Sequence, residues 1–242
     1  MDISLALYVE DTTSLATAQR NVGLYSRFFN QIFVLINSFI PHPINFGFTT
    51  KEVNIIDFKG KISQGACFNK LLSHSSSKRV LLLDASTSFD KLMISNLYSI
   101  ANQTESSYLV GFSPCRKLPD FFPKDRINGQ LSKQLSLVKN IAYGGLLFDP
   151  FFINSIGGFE DRLNNDSLFL DLSMRTQKTE GLVLESDLKF SLLNKTLEAS
   201  SLNEKVYISQ KYPDNPSDFF TKILSMYKKN SFLERSFEKK IH

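Results

Sequence analysis

Tryptophan is absent from the 242 residues, and cysteine and histidine are scarce, at two and three. Cys67 and Cys115 stand far apart with no CxxC spacing, which argues against a disulfide framework and against a structural zinc site. His42, His74 and His242 are too scattered to form a histidine-based metal centre. No apolar run approaches the roughly 20 residues needed to span a bilayer. Residues 1–22 carry Asp2, Glu10 and Asp11 and lack a basic start followed by an apolar block, so they do not read as a signal peptide. A cytoplasmic protein is the expectation.

What is present suits one large α/β domain. Hydrophobic residues make up 42%, enough for a sizeable core, and charged residues at 21% with 11 Gly give no sign of disorder or of a fibrous repeat. Phe, at 22, carries the aromatic packing. The net charge of +4 comes largely from the C-terminal stretch, where Lys222, Lys228, Lys229, Arg235, Lys239 and Lys240 face only Glu234 and Glu238. Such a stretch suits either an anionic partner or a solvated helix face.

Along the chain, Ile3–Val9 is an apolar run without helical period and reads as a buried strand. Thr12–Arg27 reads as a helix with a Thr/Ser-rich start. Further strands fall at Gln31–Ile36, Val53–Ile56, Arg79–Leu83 and Tyr108–Gly111, with helices at Gln64–Ser73 and Phe89–Ala101. This alternation predicts a largely parallel, doubly wound sheet. Ligands of such sheets bind beyond the carboxyl ends of the strands. Asn37, Asp57 and Asp84 lie at those ends and are site candidates on that ground alone.

Residues 112–139, punctuated by Pro114, Pro119 and Pro123, read as a long irregular segment, either a binding loop or an insertion. Ile141–Phe148 reads as a strand interrupted by Gly144-Gly145, where a ligand or another backbone comes close. A short helical turn is expected at Phe151–Ile156, a helix at Ser167–Thr176 and a strand at Gly181–Glu185. Asp171 and Arg175, spaced i and i+4, suit a helix ion pair. Three units are expected: a domain over 1–199, a polar linker over 200–218, and a basic helix over 219–242 packed on the domain.

Two segments resemble the family 2 glycosyltransferases of the GT-A fold. In Gly65–Ser86 (GACFNKLLSHSSSKRVLLLDAS), Gly65, Asn69 and Asp84 fit the family's helix start, turn and apolar strand ending in Asp-x-Asp. In Tyr143–Arg175 (YGGLLFDPFFINSIGGFEDRLNNDSLFLDLSMR), Ile156, Gly157, Gly158, Phe159, Leu172 and Arg175 fit its small-residue strand, Gly-Gly-Phe turn and following helix. The resemblance covers residues 3–185, the first third more loosely. It implies a mixed, mostly parallel sheet flanked by helices, and transfer of one sugar from a nucleoside-diphosphate sugar with inversion.

That chemistry puts negative charge on a departing diphosphate, which Mg²⁺ or Mn²⁺ held by hard oxygen ligands would neutralise. It also asks for a carboxylate to take the acceptor's proton. This chain departs from the family at each acidic position. Where an Asp pair would hold the base, it has Asn37-Ser38; where Asp-x-Asp would hold nucleoside and metal, it has Asp84-Ala85-Ser86. Ser86 offers a neutral oxygen in place of a charge, so divalent-ion affinity should fall. In ungapped alignment the usual base falls on Ser167, which cannot serve; Asp166 or Asp161 would have to substitute.

From the resemblance Asn37 is expected at the base, Asp84 and Ser86 at nucleoside or metal, where an ordinary turn is the alternative for Asp84, and Gly144 and Gly145 beside the acceptor or sugar pocket, where strand packing is the alternative. Asp166 is the choice for proton removal if the backbone shifts by a residue, and equally suits a helix N-cap. At Asn69 a nucleotide or sugar contact competes with a role in orienting the local loop. Expected partners are a UDP-sugar and a glycan or lipid-linked acceptor, with no nucleic acid and at most peripheral membrane contact through the basic C-terminal helix. The lack of Trp excludes the Gln-x-x-Arg-Trp grip of processive synthases. A catalytically inactive GT-A-like binding or scaffolding module is the alternative. A nucleotidyltransferase finds no support, because no Gly-rich phosphate loop with a Lys follows the first strand.

Overall fold

The computed structural model describes residues 2–39, 44, 46, 47, 51–88, 90–114, 126–132, 134–141, 143–192 and 201–212. In chain order the elements are β1 (Ile3–Val9), α1 (Thr12–Tyr25), β2 (Ile32–Ile36), β3 (Val53–Asp57), α2 (Gln64–His74), β4 (Arg79–Asp84), β5 (Thr87–Ser88) and α3 (Lys91–Gln103). There follow β6 (Leu109–Pro114), β7 (Arg126–Ser132), β8 (Leu135–Val138), β9 (Gly145–Phe148), α4 (Pro150–Ser155), α5 (Asn165–Lys178), β10 (Val183–Leu192) and α6 (Leu202–Lys211).

The strands form one sheet in the order β3-β2-β1-β4-β9-β6-β10-β8-β7, with β5 paired to β10. The quartet β3-β2-β1-β4 is parallel throughout. Antiparallel β9 then separates β4 from β6, and β6 pairs in parallel with β10. This is the mixed, mostly parallel α/β sheet that the resemblance implies.

Strand pleating divides the core into two layers. On one face Leu5, Leu7, Val34, Ile36, Leu81 and Leu83 pack with Leu15 and Val22 of α1 and Ile94 and Leu97 of α3. On the other, Ala6, Tyr8, Phe33, Leu35, Val80 and Leu82 pack with Phe68 and Leu71 of α2, Ile153 of α4 and Leu168 and Leu172 of α5. Both faces are covered, which is why β1, β2 and β4 read as unbroken apolar runs. The α1 cap is Asp11, whose side chain accepts from Ser14 N while Ser14 Oγ accepts from Asp11 N, so the Thr/Ser-rich start lies just inside the helix.

Three expectations need correction. Residues 126–132 and 135–138, expected to be irregular, form the antiparallel pair β7–β8. Strand β9 begins only at Gly145. The N–H groups of Ile141 and Tyr143 are directed to Ser173 Oγ and Asp166 Oδ1 on α5, so they are lost to strand pairing. Within the expected linker, Leu202–Lys211 is helical, started by a capping box between Ser201 and Glu204. The Ser-x-x-Glu spacing that signals such a start is present in the sequence. The expected basic helix over 219–242 lies outside the described residues.

The segment between α4 and α5 is clamped onto α2. Asn69 Oδ1 accepts from Phe159 N at 2.7 Å, and its Nδ2 donates to Phe159 O at 2.7 Å and to Asp161 Oδ1. Gly65 N donates to Leu163 O, and a Cβ on Gly65 would stand 1.9 Å from Glu160 O. Gly157 and Gly158 have φ of +96° and +72°, where a side chain is strained, and Arg175 Nη1 donates to the carbonyls of Ile156 and Gly158. Family-like Gly65, Asn69, Gly157, Gly158 and Arg175 thus meet in one joint.

Helix α6 secures that joint from outside. Glu204 accepts from Asn164 N and Nδ2, and Lys211 bridges Glu160 at 3.0 Å and fully buried Asp171 at 2.8 Å. Asp171 also pairs with Arg175, as expected, and accepts from Tyr212.

Two outcomes follow from this packing. Gly65→Ala should destabilise the fold by about 3 kcal/mol, because the obstacle is rigid backbone; an unchanged urea midpoint would contradict the clamp. Burial alone would raise the Glu160 carboxyl, but hydrogen bonds from Tyr207, Lys211 and Arg162 outweigh it and hold the group at about 2, against an ordinary 4.5. A depressed folded value contributes stability above pH 4.5 that is lost as pH falls toward 2. Glu160→Gln should therefore cost about 1 kcal/mol at neutral pH. Its urea-unfolding stability should converge with wild type on acidification; a gap that persists unchanged at the acid end would refute the assignment.

Candidate active site

Asn37 and Asp84 lie at the carboxyl ends of β2 and β4. By strand alternation they project to the same face as Tyr8, which carries α2 and α5. The rim where parallel strands of this sheet end is therefore polar on that face.

Asp84 is 2% exposed. Its Oδ1 accepts from Ser86 N at 2.9 Å and from Ser86 Oγ at 2.6 Å, so the turn after β4 closes on the carboxylate. Its Oδ2 accepts from the Tyr143 hydroxyl at 2.8 Å. Tyr143 is buried and packs edge-on against Phe169, with ring centroids 5.5 Å apart. Burial first, and then the charge of Asp84, push its hydroxyl well above the usual tyrosine range. It therefore stays protonated and donating at neutral pH.

Asp166 sits in the first turn of α5, and its Oδ1 accepts from Tyr143 N at 2.9 Å. One residue thus joins the two aspartates, by hydroxyl to Asp84 and by backbone N–H to Asp166. Asn165 precedes with φ +48°, a value asparagine tolerates, and exchanges hydrogen bonds with the Gln64 amide. The turn it makes leaves Asp166 half-buried and Ser167 fully buried. Asp161 is exposed and bound to Asn69 and Ser63 on the α2 side. Of the two carboxylates open for the base, Asp166 shares Tyr143 with Asp84, through the backbone N–H at one end and the hydroxyl at the other.

The remaining candidates have structural employment. The Asn37 amide pairs with the Ile62 peptide, accepting from its N–H at 2.8 Å and donating to its carbonyl at 2.9 Å, and it donates to Tyr8 Oη at 2.7 Å. Both of its N–H bonds are engaged, so it fastens the loop before α2 instead of offering an edge to a base. Asp57 Oδ1 accepts from Lys59 N and shapes the turn after β3. Asn69 belongs to the α2 joint, with its amide taken up by Phe159 and Asp161. Gly145 is a packing glycine: its Cβ would meet Leu83 Cδ2 at 2.7 Å and Phe112 and Phe190 at 3.3 Å, on the far face. Gly144 is buried immediately after Tyr143.

Four rim residues escaped the sequence reading: Tyr8, Glu10, Gln64 and Tyr143. Glu10 follows β1 directly, and its charge adds to burial in raising the Tyr8 hydroxyl and the Cys67 thiol. Cys67 is buried and is held as the thiol, not as a nucleophile. A carboxylate one residue past the first strand, and a tyrosine just before Gly-Gly, are the signals that could have found Glu10 and Tyr143.

The residues that the resemblance assigns to a divalent ion do not fit one. Asp84 is a single buried carboxylate already receiving three hydrogen bonds, and Ser86, 4% exposed, is folded back as a donor to it. Among the described residues, no group of three or more His, Cys, Asp or Glu side chains could hold a metal ion. Among them, too, no helix is long and apolar enough to cross a membrane.

No family model and no curated protein sequence matches the chain. Solved structures do. GalNAc-T7, crystallised with UDP, GalNAc and Mn²⁺, superimposes with a TM-score of 0.59 at 9% identity, over 89% of this chain and 48% of that one. TarS from S. aureus gives 0.59 at 10% identity, over 94% of this chain and 43% of its own. The mannosyltransferase PcManGT from Pyrobaculum calidifontis, in complex with GDP-Man and Mn²⁺, gives 0.59 at 10%, over 93% and 68%. The chain spans less than half the length of the first two. At such identities the likeness concerns architecture, and the architecture is that of the GT-A glycosyltransferases.

Proposed function

We propose that the chain binds a nucleoside-diphosphate sugar, a UDP-sugar by the sequence reading, at the rim beyond β1, β2 and β4. It would then transfer the sugar to a glycan or lipid-linked acceptor. The observation that carries this reading is the pair of aspartates held by Tyr143. Asp84 comes from the strand end where GT-A folds seat the donor, and Asp166 from the helix start where the resemblance places the base. In the transfer, the acceptor oxygen bonds to the anomeric carbon as the bond from that carbon to the diphosphate oxygen breaks. The electron pair leaves with the diphosphate, and Asp166 takes the acceptor proton.

Mn²⁺, one of the two ions expected from the resemblance, accompanies GalNAc-T7 and PcManGT in their structures. The Asp84–Ser86 turn does not suit it, and no step above is routed through it. A second reading, a GT-A-like module that binds without turnover, is favoured by the same saturation of Asp84.

Thermal shift with UDP, GDP and their sugars, followed by mass-spectrometric detection of donor hydrolysis, separates the two. A transferase should show both a nucleotide-dependent shift and slow hydrolysis. Asp166→Asn should keep the shift and lower turnover at least about 100-fold. Binding without hydrolysis in wild type would favour the module, and no shift with any nucleotide would end the donor-site reading.

A further inference from the structure

We propose that Tyr143 and Ser86 together close Asp84 to cations, so that ligand binding at this rim is independent of divalent metal. The inference rests on the donor-site reading only for the identity of the ligand; the closure is a property of the residues themselves.

Hard divalent cations select sites with several oxygen ligands, and affinity rises with the number of carboxylates among them. Here the strand end supplies one carboxylate, and each of its oxygens is committed. Oδ1 receives both the N–H and the hydroxyl of Ser86, and Oδ2 receives the hydroxyl of Tyr143. A carboxylate has about four lone-pair sites and three are taken here, so a cation at Oδ2 would have to share that oxygen with the Tyr143 hydroxyl or displace it. That hydroxyl sits in a buried position, with its ring fixed against Phe169 and its backbone N–H tied to Asp166. A buried hydroxyl left without an acceptor keeps the full cost of its lost hydration. A cation at Oδ1 would meet the Ser86 donors instead. Burial of Asp84 and Ser86, at 2% and 4% exposure, also denies the water ligands that Mg²⁺ and Mn²⁺ retain.

Three donors therefore do locally what a cation does elsewhere: they compensate the Asp84 charge. Tyr143 is the positioning residue, because its other bond fixes Asp166. The closure ties the turn after β4 to the start of α5, and a cation competing for Asp84 would loosen both.

The test uses the full chain and Mn²⁺ alone, titrated by electron paramagnetic resonance, with far-UV circular dichroism to monitor folding. Wild type should leave Mn²⁺ free up to about 1 mM, as expected where the Asp84 carboxylate is buried and already hydrogen-bonded at both oxygens. Ser86→Asp alone should gain little, because Tyr143 still holds Oδ2. The double variant Ser86→Asp, Tyr143→Phe should bind Mn²⁺ at least about tenfold more tightly than either single variant, since it has two carboxylates and one released oxygen. Wild-type Mn²⁺ binding that is lost in Asp84→Asn would overturn the proposal, as would a folded double variant that gains nothing. In parallel, any UDP- or GDP-induced thermal shift of wild type should be the same in Mn²⁺ and in chelator. Absence of every nucleotide shift would count against the donor-site reading alone, because the Mn²⁺ titration stands without it.

Discussion

The candidate site exists because the peptide of Phe159 is held at both its N–H and its carbonyl by Asn69, a side chain one turn into α2. That pairing fixes the segment after α4 against the second layer of the sheet. The neighbouring segments inherit its position: the Gly157-Gly158 turn before it, and the Asn164–Asn165 entry to α5 and Asp166 after it. Gly65 enters the same constraint from the other side. The Glu160 carbonyl comes so close to α2 that no side chain fits between them. A site at the rim of β4 thus depends on contacts along the first half of α2, and the sheet alone would not join Asp166 to Tyr143.

The two stretches carrying the family resemblance are distant in sequence and adjacent in space. Gly65 and Asn69 need the Gly-Gly-Phe segment as their partner, and Arg175 caps the carbonyls of that segment from α5. Such residues can persist for packing whatever becomes of the chemistry. Packing of this kind suits a GT-A architecture shared at identities near a tenth. The fold is held by glycines, amides and one arginine, and none of these is among the altered acidic positions.

The same separation explains what the sequence makes legible. Buried parallel strands announce themselves as apolar runs, so β1, β2 and β4 are read to within a residue, and their carboxyl ends name Asn37 and Asp84. Hydrogen-bond commitments leave no such mark. Nothing in the string indicates that the Asn37 amide is taken by Ile62, or that Ser86 turns its hydroxyl back on Asp84. The commitments of Tyr143 are hidden for the same reason, since its hydroxyl and its N–H run to Asp84 and Asp166, 59 and 23 residues away. Helix α6 is the opposite case. Its Ser-x-x-Glu start was on view but lay in a polar stretch whose apolar face, Ile208 and Tyr212, is short.

Asp84 is buried and so in need of compensation. Exposed, it would be compensated by water or by a cation. At 2% exposure it must find donors within the protein, and the nearest loops provide them: Ser86 by closing the turn, and Tyr143 by reaching in from the residue before Gly144. Seen this way, Ser86 and Tyr143 are complementary. A carboxylate at position 86 would repel Asp84; a hydroxyl donates to it instead. The identity of residue 86 and the presence of a tyrosine at 143 are therefore two expressions of one electrostatic solution, in which hydrogen bonds hold the rim together in place of a metal.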